Sequence, residues 1–161
     1  MDYIKMIRNL VKHTKIILVS SGAFVFDDNN KVLLQCRSDN HCWCVPGGFV
    51  ELNESIKAAA KREVFEETGL IIDEENMSLF SIYSGPSRDA KLNNGDEIAN
   101  IQIVFICKKF TGKLLQKASE TYSTEFFSMD ALPENMHFNQ KEMISDLLEY
   151  HYNKSALPII K

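Results

Sequence analysis

Residues Trp43 to Leu70 read WCVPGGFVELNESIKAAAKREVFEETGL, and the middle of this stretch is written as a helix. Asn53 or Ser55 can cap its start, Ala58, Ala59 and Ala60 favour helical backbone, and Gly69 stands where a C-terminal stop belongs. On a wheel of about 100° per residue, with Ile56 at zero, Ala59, Ala60, Glu63, Glu66 and Glu67 share one side. Lys57, Lys61 and Phe65 take the other. A side that begins apolar therefore continues as three carboxylates. They crowd the last turn, where the helix dipole disfavours each negative charge by a few tenths to about 1 kcal/mol. Like charges three and four residues apart repel further. Folding alone asks for no such arrangement, and a solvated acidic face does not explain acids on the inward side. A divalent cation offsets both costs, and hard carboxylate oxygens at this spacing suit Mg²⁺ or Mn²⁺.

The rest of the chain bounds the answer. At 161 residues one domain is expected, residues 1–161, with a helix over 1–13 and a tail over 154–161. An apolar content of 45% and 25% charged residues are ordinary for a globular chain. The net charge of −4 leaves no basic surplus to coat a nucleic acid, so the expected partner is a small molecule, with no nucleic acid and no membrane. No apolar run is long enough to span a bilayer, and the N-terminus lacks a signal-peptide core, so a cytoplasmic location is expected. Four cysteines stand at 36, 42, 44 and 107 without paired zinc-ligand spacing, which reads as reduced thiols.

The amphipathic pattern over residues 2 to 12 predicts a short helix. Strands are expected over 15–26, 31–37, 76–83, 98–108, 113–116 and 124–127, the first two as a hairpin about Asp27-Asp28-Asn29-Asn30, and Gly22 as a point of close backbone approach or a bulge. Residues 84–97 read as a long polar loop with turn signals at Asn93-Asn94-Gly95, a kind of loop that is often functional. Residues 71–72 read as a link, 130–133 as a helical turn and 139–152 as an amphipathic helix with Met143, Ile144, Leu147 and Leu148 inward. The order argues for an α/β sandwich with a mixed sheet between helices. The N-terminal helix and the tail could each support a homodimer.

Gly48, Glu54, Arg62, Glu63, Val64, Glu66, Glu67, Gly69 and Leu70 match every specified position of the Nudix box, G-x5-E-x7-R-E-U-x-E-E-x-G-U, where U is a bulky aliphatic residue. A chance match is on the order of 10⁻⁹ per starting position at average residue usage. The chain thus resembles the Nudix hydrolases, and the order of elements outside the box resembles their α/β/α fold. The resemblance implies hydrolysis of a nucleoside diphosphate linked to another moiety, with Mg²⁺ or Mn²⁺. It also implies Glu63, Glu66 and Glu67 as metal-binding carboxylates, the Gly47 carbonyl as a further ligand, and Glu54 as a ligand through water or a loop anchor. Glu63 is an alternative general base, and Arg62 would hold Glu66 or Glu54 rather than touch substrate.

Family members often add a carboxylate from outside the box, for which Asp96, Glu97 and Glu120 are the candidates. Glu97 leads, because it ends the long loop where the strongest strand begins, and Glu51 is a further supporting acid. Arg37, Trp43 and Tyr83 could flank a base or a phosphate, although Trp43 also suits packing under the Gly47-Gly48 bend. Pro86, sixteen residues beyond Leu70, resembles a proline associated with ADP-ribose pyrophosphatases. ADP-ribose-like substrates therefore lead. The other two readings are a house-cleaning nucleoside triphosphate pyrophosphatase and a nucleotide-sensing module without catalysis.

Overall fold

The computed structural model describes residues 3–92 and 94–161. Asp2 and Asn93, which figure in the expected helix and turn, lie outside the described residues. In chain order the elements are α1 (Tyr3–Val11), β1 (Ile16–Val25), β2 (Val32–Arg37), β3 (Trp43–Cys44), β4 (Gly47–Phe49), α2 (Ile56–Thr68) and β5 (Leu70–Ile72). Then come β6 (Met77–Tyr83), β7 (Asp89–Lys91), β8 (Glu97–Cys107), β9 (Phe110–Gly112), β10 (Thr121–Phe127), α3 (Lys141–Asn153) and β11 (Ile159–Ile160).

The architecture is a mixed-sheet α/β sandwich. A six-stranded sheet runs β11-β6-β8-β1-β4, with β7 hydrogen-bonded to β8. Its centre is the parallel β1–β8 pair, in register from Ile16 opposite Ile98 to Val25 opposite Cys107. Over residues 23–25 and 103–107 both faces of this pair are covered, which is why the sequence there reads as continuous apolar runs. Phe24, Val104 and Ile106 join Met143, Ile144 and Leu147 of α3 in one core. Ala23, Val25, Ile103, Phe105 and Cys107 join Ala60 and Val64 of α2 in the other. The period of two in a strand thus sends alternate residues to opposite helices.

Several local expectations change. The predicted β1–β2 hairpin is not formed: beyond the isolated Phe26–Val32 bridge, β2 pairs with β10 and β3 in a separate three-stranded sheet. Residues 84–97 are not wholly irregular, since a short 3-10 turn over Pro86–Arg88 leads into β7, which runs antiparallel to β8. Residues 70–72 pair with 110–112 in a two-stranded sheet, where the sequence alone reads 71–72 as a link. The tail adds β11 parallel to the β6 edge, and α1 is fastened by Arg8 to the Lys12, Thr14 and Glu97 carbonyls at 3.1, 2.8 and 2.9 Å. Both segments assigned a possible dimer role thus have partners within the chain. Among the described residues no helix is long and apolar enough to cross a membrane.

Candidate active site

The site is built where β4 and α2 meet. β4 pairs antiparallel with β1, placing Gly47 against Gly22 and Gly48 against Ser21. A Cβ on Gly22 would stand 2.4 Å from the Pro46 carbonyl oxygen, so close backbone approach is the reason for glycine there. A Cβ on Gly48 would meet the Glu63 carboxylate at 2.5 Å. The glycine leaves the room that Glu63 fills.

α2 begins at Ser55, whose Oγ accepts from the Ala58 N–H at 3.1 Å, and ends at Gly69 with φ 75. Its buried stripe is Ala59, Ala60, Val64, Glu67 and Thr68. Ile56, expected inward, stays exposed. The stripe is centred near Ala60 and Val64, so Glu63 and Glu66 stand at its edge. Both line a cleft of about 810 Å³ together with Glu67 and Gly47.

Arg62 ties these acids together. Its Nε and Nη2 donate to the two Glu54 oxygens at 2.8 and 2.9 Å, and Nη2 also donates to the Phe49 carbonyl at 3.0 Å. Nη1 donates to Glu63 at 2.6 Å and to Glu66 at 3.2 Å. The fork of a guanidinium matches such a set of oxygens as an ammonium cannot. The Arg62 bonds hold the Glu54 carboxyl below its ordinary range. Glu54 also accepts from the Glu51 N–H at 3.1 Å and lies outside the cleft lining, so its visible work is to anchor the loop before α2.

Glu67 is the most buried acid of the three. Burial, followed in smaller part by the charges of Glu63 and Glu120, pushes its pKa to about 7 against the help of the Gln35 amide and the Gly47 N–H. The Gly47 N–H donates at 2.8 Å. Thr121 Oγ1 donates to Gln35 Oε1 at 2.6 Å, which turns the Gln35 NH₂ toward other acceptors. Among the described residues no cationic side chain pairs with Glu67. Burial also raises Glu63, against the lowering effect of Arg62.

The outside carboxylates divide clearly. Glu120 lines the cleft, and its charge acts on both Glu63 and Glu67. Glu97, the leading candidate, is exposed beside Lys91 at 3.9 Å and lies outside the cleft. The even-numbered β8 residues Ile98, Asn100, Gln102 and Val104 line the cleft, so the pleat turns Glu97 to the opposite face. Asp96 is buried against Arg8 and His13 at 3.1 and 2.8 Å, which occupies it structurally.

Arg37 and Glu51 line the cleft, Arg37 holding Asp39 through two bonds of 2.9 Å. Trp43, Tyr83 and Pro86 do not line it. Trp43 packs edge-on against Phe127 at 4.7 Å. Tyr83 is fully buried, donates to Asp146 at 2.7 Å and lies beneath the Arg88 guanidinium at 4.3 Å. Pro86 opens the turn that carries Arg88 into the cleft wall. Sequence reading passed over Arg88, His137 and Phe138, which also line the cleft. The one visible signal was an arginine inside the long loop; nothing local marked the other two.

A divalent cation can be tested against these residues. Among those described, no three acidic, histidine or cysteine side chains converge on one point. Arg62 draws off Glu63 and Glu66, and the Gly47 N–H holds Glu67. The donors are nonetheless all hard oxygens, and Glu67 carries a buried charge that no side-chain cation neutralises. The residues present fit Mg²⁺ or Mn²⁺ once the exposed Glu66 and the neighbouring Glu63 turn from Arg62.

Fold and site together define an α/β/α sandwich with an acid-lined cleft at one sheet edge. The NUDIX domain profile matches residues 17–147, and the chain belongs to the Nudix hydrolases, a family that cleaves pyrophosphate bonds and generally uses divalent metal ions. It is 35% identical over 129 residues to an ADP-ribose pyrophosphatase of Methanocaldococcus jannaschii, covering 78% of this chain and 70% of the relative. It is 30% identical over 134 residues to a candidate 8-oxo-dGTP diphosphatase of Bacillus subtilis, covering 80% of each. In fold it is similar to a MutT NUDIX hydrolase from Burkholderia pseudomallei, with TM-score 0.67, 22% identity, and 82% of this chain and 98% of that one covered.

Proposed function

We propose that this Nudix hydrolase cleaves the diphosphate of a nucleoside diphosphate linked to another moiety, with ADP-ribose-like compounds as the leading substrates and Mg²⁺ or Mn²⁺ as the cofactor. The observation that carries the reading is the buried Glu67 on the cleft wall beside Glu63 and Glu66, an acid without a cationic side-chain partner among the described residues. The M. jannaschii relative supports the choice of substrate.

In this account Glu63, Glu66 and Glu67 hold the ion, with the Gly47 carbonyl beside them and Glu120, rather than Glu97, as the additional acid. When bound, the ion would supply positive charge against the diphosphate oxygens and acidify a water. The chain's own groups do the rest. Arg62 anchors Glu54 and the loop before α2, and Arg37, partly exposed on the cleft wall, is placed for a phosphate. Water oxygen bonds to one phosphorus as the bridging P–O bond breaks, a carboxylate accepts the proton, and the second phosphate leaves. Glu63 is the alternative proton acceptor, in which case Glu66 and Glu67 would hold the ion.

With ADP-ribose and Mg²⁺ the products should be AMP and ribose 5-phosphate. In the same assay Glu120→Gln should lower kcat about tenfold or more, and Glu97→Gln should change it less than about twofold. The B. subtilis relative favours a second reading as a triphosphate pyrophosphatase, for which the products are a monophosphate and inorganic pyrophosphate. No turnover on either class of substrate rules out both.

A further inference from the structure

The cleft carries an aromatic pair that the chemistry above does not use. Phe138 lines it with its side chain mostly in water, at 71% exposure, and is among the most exposed large apolar residues described. The His137 imidazole lies against it at 4.7 Å with the planes 32° apart. Burial, then the nearby charge of Arg37, lowers the His137 pKa, so the imidazole is neutral near pH 7.

A solvated phenylalanine needs no rigid mounting, yet this one has it. The Trp43 N–H donates to the Asn135 carbonyl at 3.0 Å, and the His137 N–H donates back to the Trp43 carbonyl at 2.9 Å. Beyond the ring, Arg88 Nη1 donates to the Asn139 carbonyl at 2.6 Å, and the Val45 N–H donates to Gln140 Oε1 at 3.1 Å. The segment is therefore tied on both sides of Phe138 to elements that also form the cleft. Between Ile98 and Val104 the sheet surface lining the same cleft carries a polar patch: Ser20 Oγ donates to Asn100 Oδ1 at 3.0 Å, and Gln102 stands in register with Ser20. A flat apolar ring on a fixed turn, sharing one cleft with hydroxyl and amide groups, matches a planar base attached to a ribose.

We propose that Phe138, backed by His137, is the stacking platform for the substrate's nucleobase. This rests on the reading of the substrate as a nucleoside diphosphate derivative. Stacking tolerates any base, because each offers a π-face.

The test compares steady-state kinetics on ADP-ribose with those on 5-phosphoribosyl 1-diphosphate, which carries a diphosphate and no base. Phe138→Ala should raise KM for ADP-ribose about tenfold, acting on KM rather than kcat, and should lower the ADP-ribose preference by the same factor. Phe138→Trp should restore that preference. Tyr122→Ala, which removes an exposed aromatic outside the cleft, should leave it unchanged. An unaltered KM in Phe138→Ala, or an equal rise on both substrates, overturns the proposal. Binding gives a separate readout: AMP should quench the added fluorescence of Phe138→Trp, and absence of quenching also overturns it. If quenching occurs while the wild type hydrolyses no nucleoside diphosphate, the platform stands and the hydrolytic reading falls.

Discussion

Glu67→Gln is expected to make the metal-free protein more stable at pH 8 while lowering kcat at least about 100-fold. The two effects share a cause. In the fold the Glu67 pKa lies at about 7, raised from 4.5 chiefly by burial. Between those values the folded state binds more protons than the unfolded one, so the wild type loses stability as pH rises through this window. Above about pH 7 the full penalty is in place. Gln is isosteric and neutral and can still accept from the Gly47 N–H, so it removes the penalty. The gain should be about 2 kcal/mol, or about 5 °C in melting temperature, and should shrink as pH falls from 7 toward 4.5. Adding Mg²⁺ at pH 8 should raise the wild-type melting temperature more than that of the variant. Melting curves at pH 5 and pH 8, with and without Mg²⁺, check each part. A variant less stable than wild type at pH 8 would show that Glu67 is a structural acid.

Arg62→Ala should act in the opposite direction on the fold. Its guanidinium is bonded to Glu54, Glu63, Glu66 and the Phe49 carbonyl, and the Glu54 and Glu63 side chains are only 14% and 15% exposed. Removing the cation leaves two carboxylates little solvated and unpaired, which costs about 3 kcal/mol in comparable settings. The urea midpoint should fall by about 1–2 M. Arg62→Lys should recover less than half of this, because one ammonium cannot span four acceptor groups. kcat should also fall about tenfold or more, since the loop before α2 loses the Arg62 bonds to Glu54 and the Phe49 carbonyl that fix it. A loss below about 0.5 kcal/mol would reduce the network to a surface feature.

The central helix was legible because its signals are local. Ser55 and Gly69 are read as caps without knowing what surrounds them, and β8 declares itself by a long β-branched run. What escaped was set by distant partners. β5 and β9 are three residues each, too short for alternation to show, and exist because they pair with one another. β2 looked like half of a hairpin with β1, yet its ladder is made with β10, far along the chain.

The same division runs through the site. Glu63, Glu66 and Glu67 share one helix, so their spacing predicted their company. Glu97 opens β8 and Glu120 stands just before β10, both far from that helix in sequence, where the direction of a side chain depends on how the strand is placed, and a shift of one residue reverses it. Tyr83 and Trp43 were plausible base-binding aromatics, but large rings are also what a core consumes first. Phe138 gave no sign of itself because its importance lies in being left uncovered.

The claim beneath the whole account is that Glu63, Glu66 and Glu67 jointly hold a divalent ion. Anomalous diffraction from a crystal grown with Mn²⁺ tests it most directly. The account predicts a manganese peak with carboxylate oxygens of these residues at about 2.1 Å and Glu66 released from Arg62. Well-ordered acids still bonded to Arg62, with no anomalous peak between them, would contradict it.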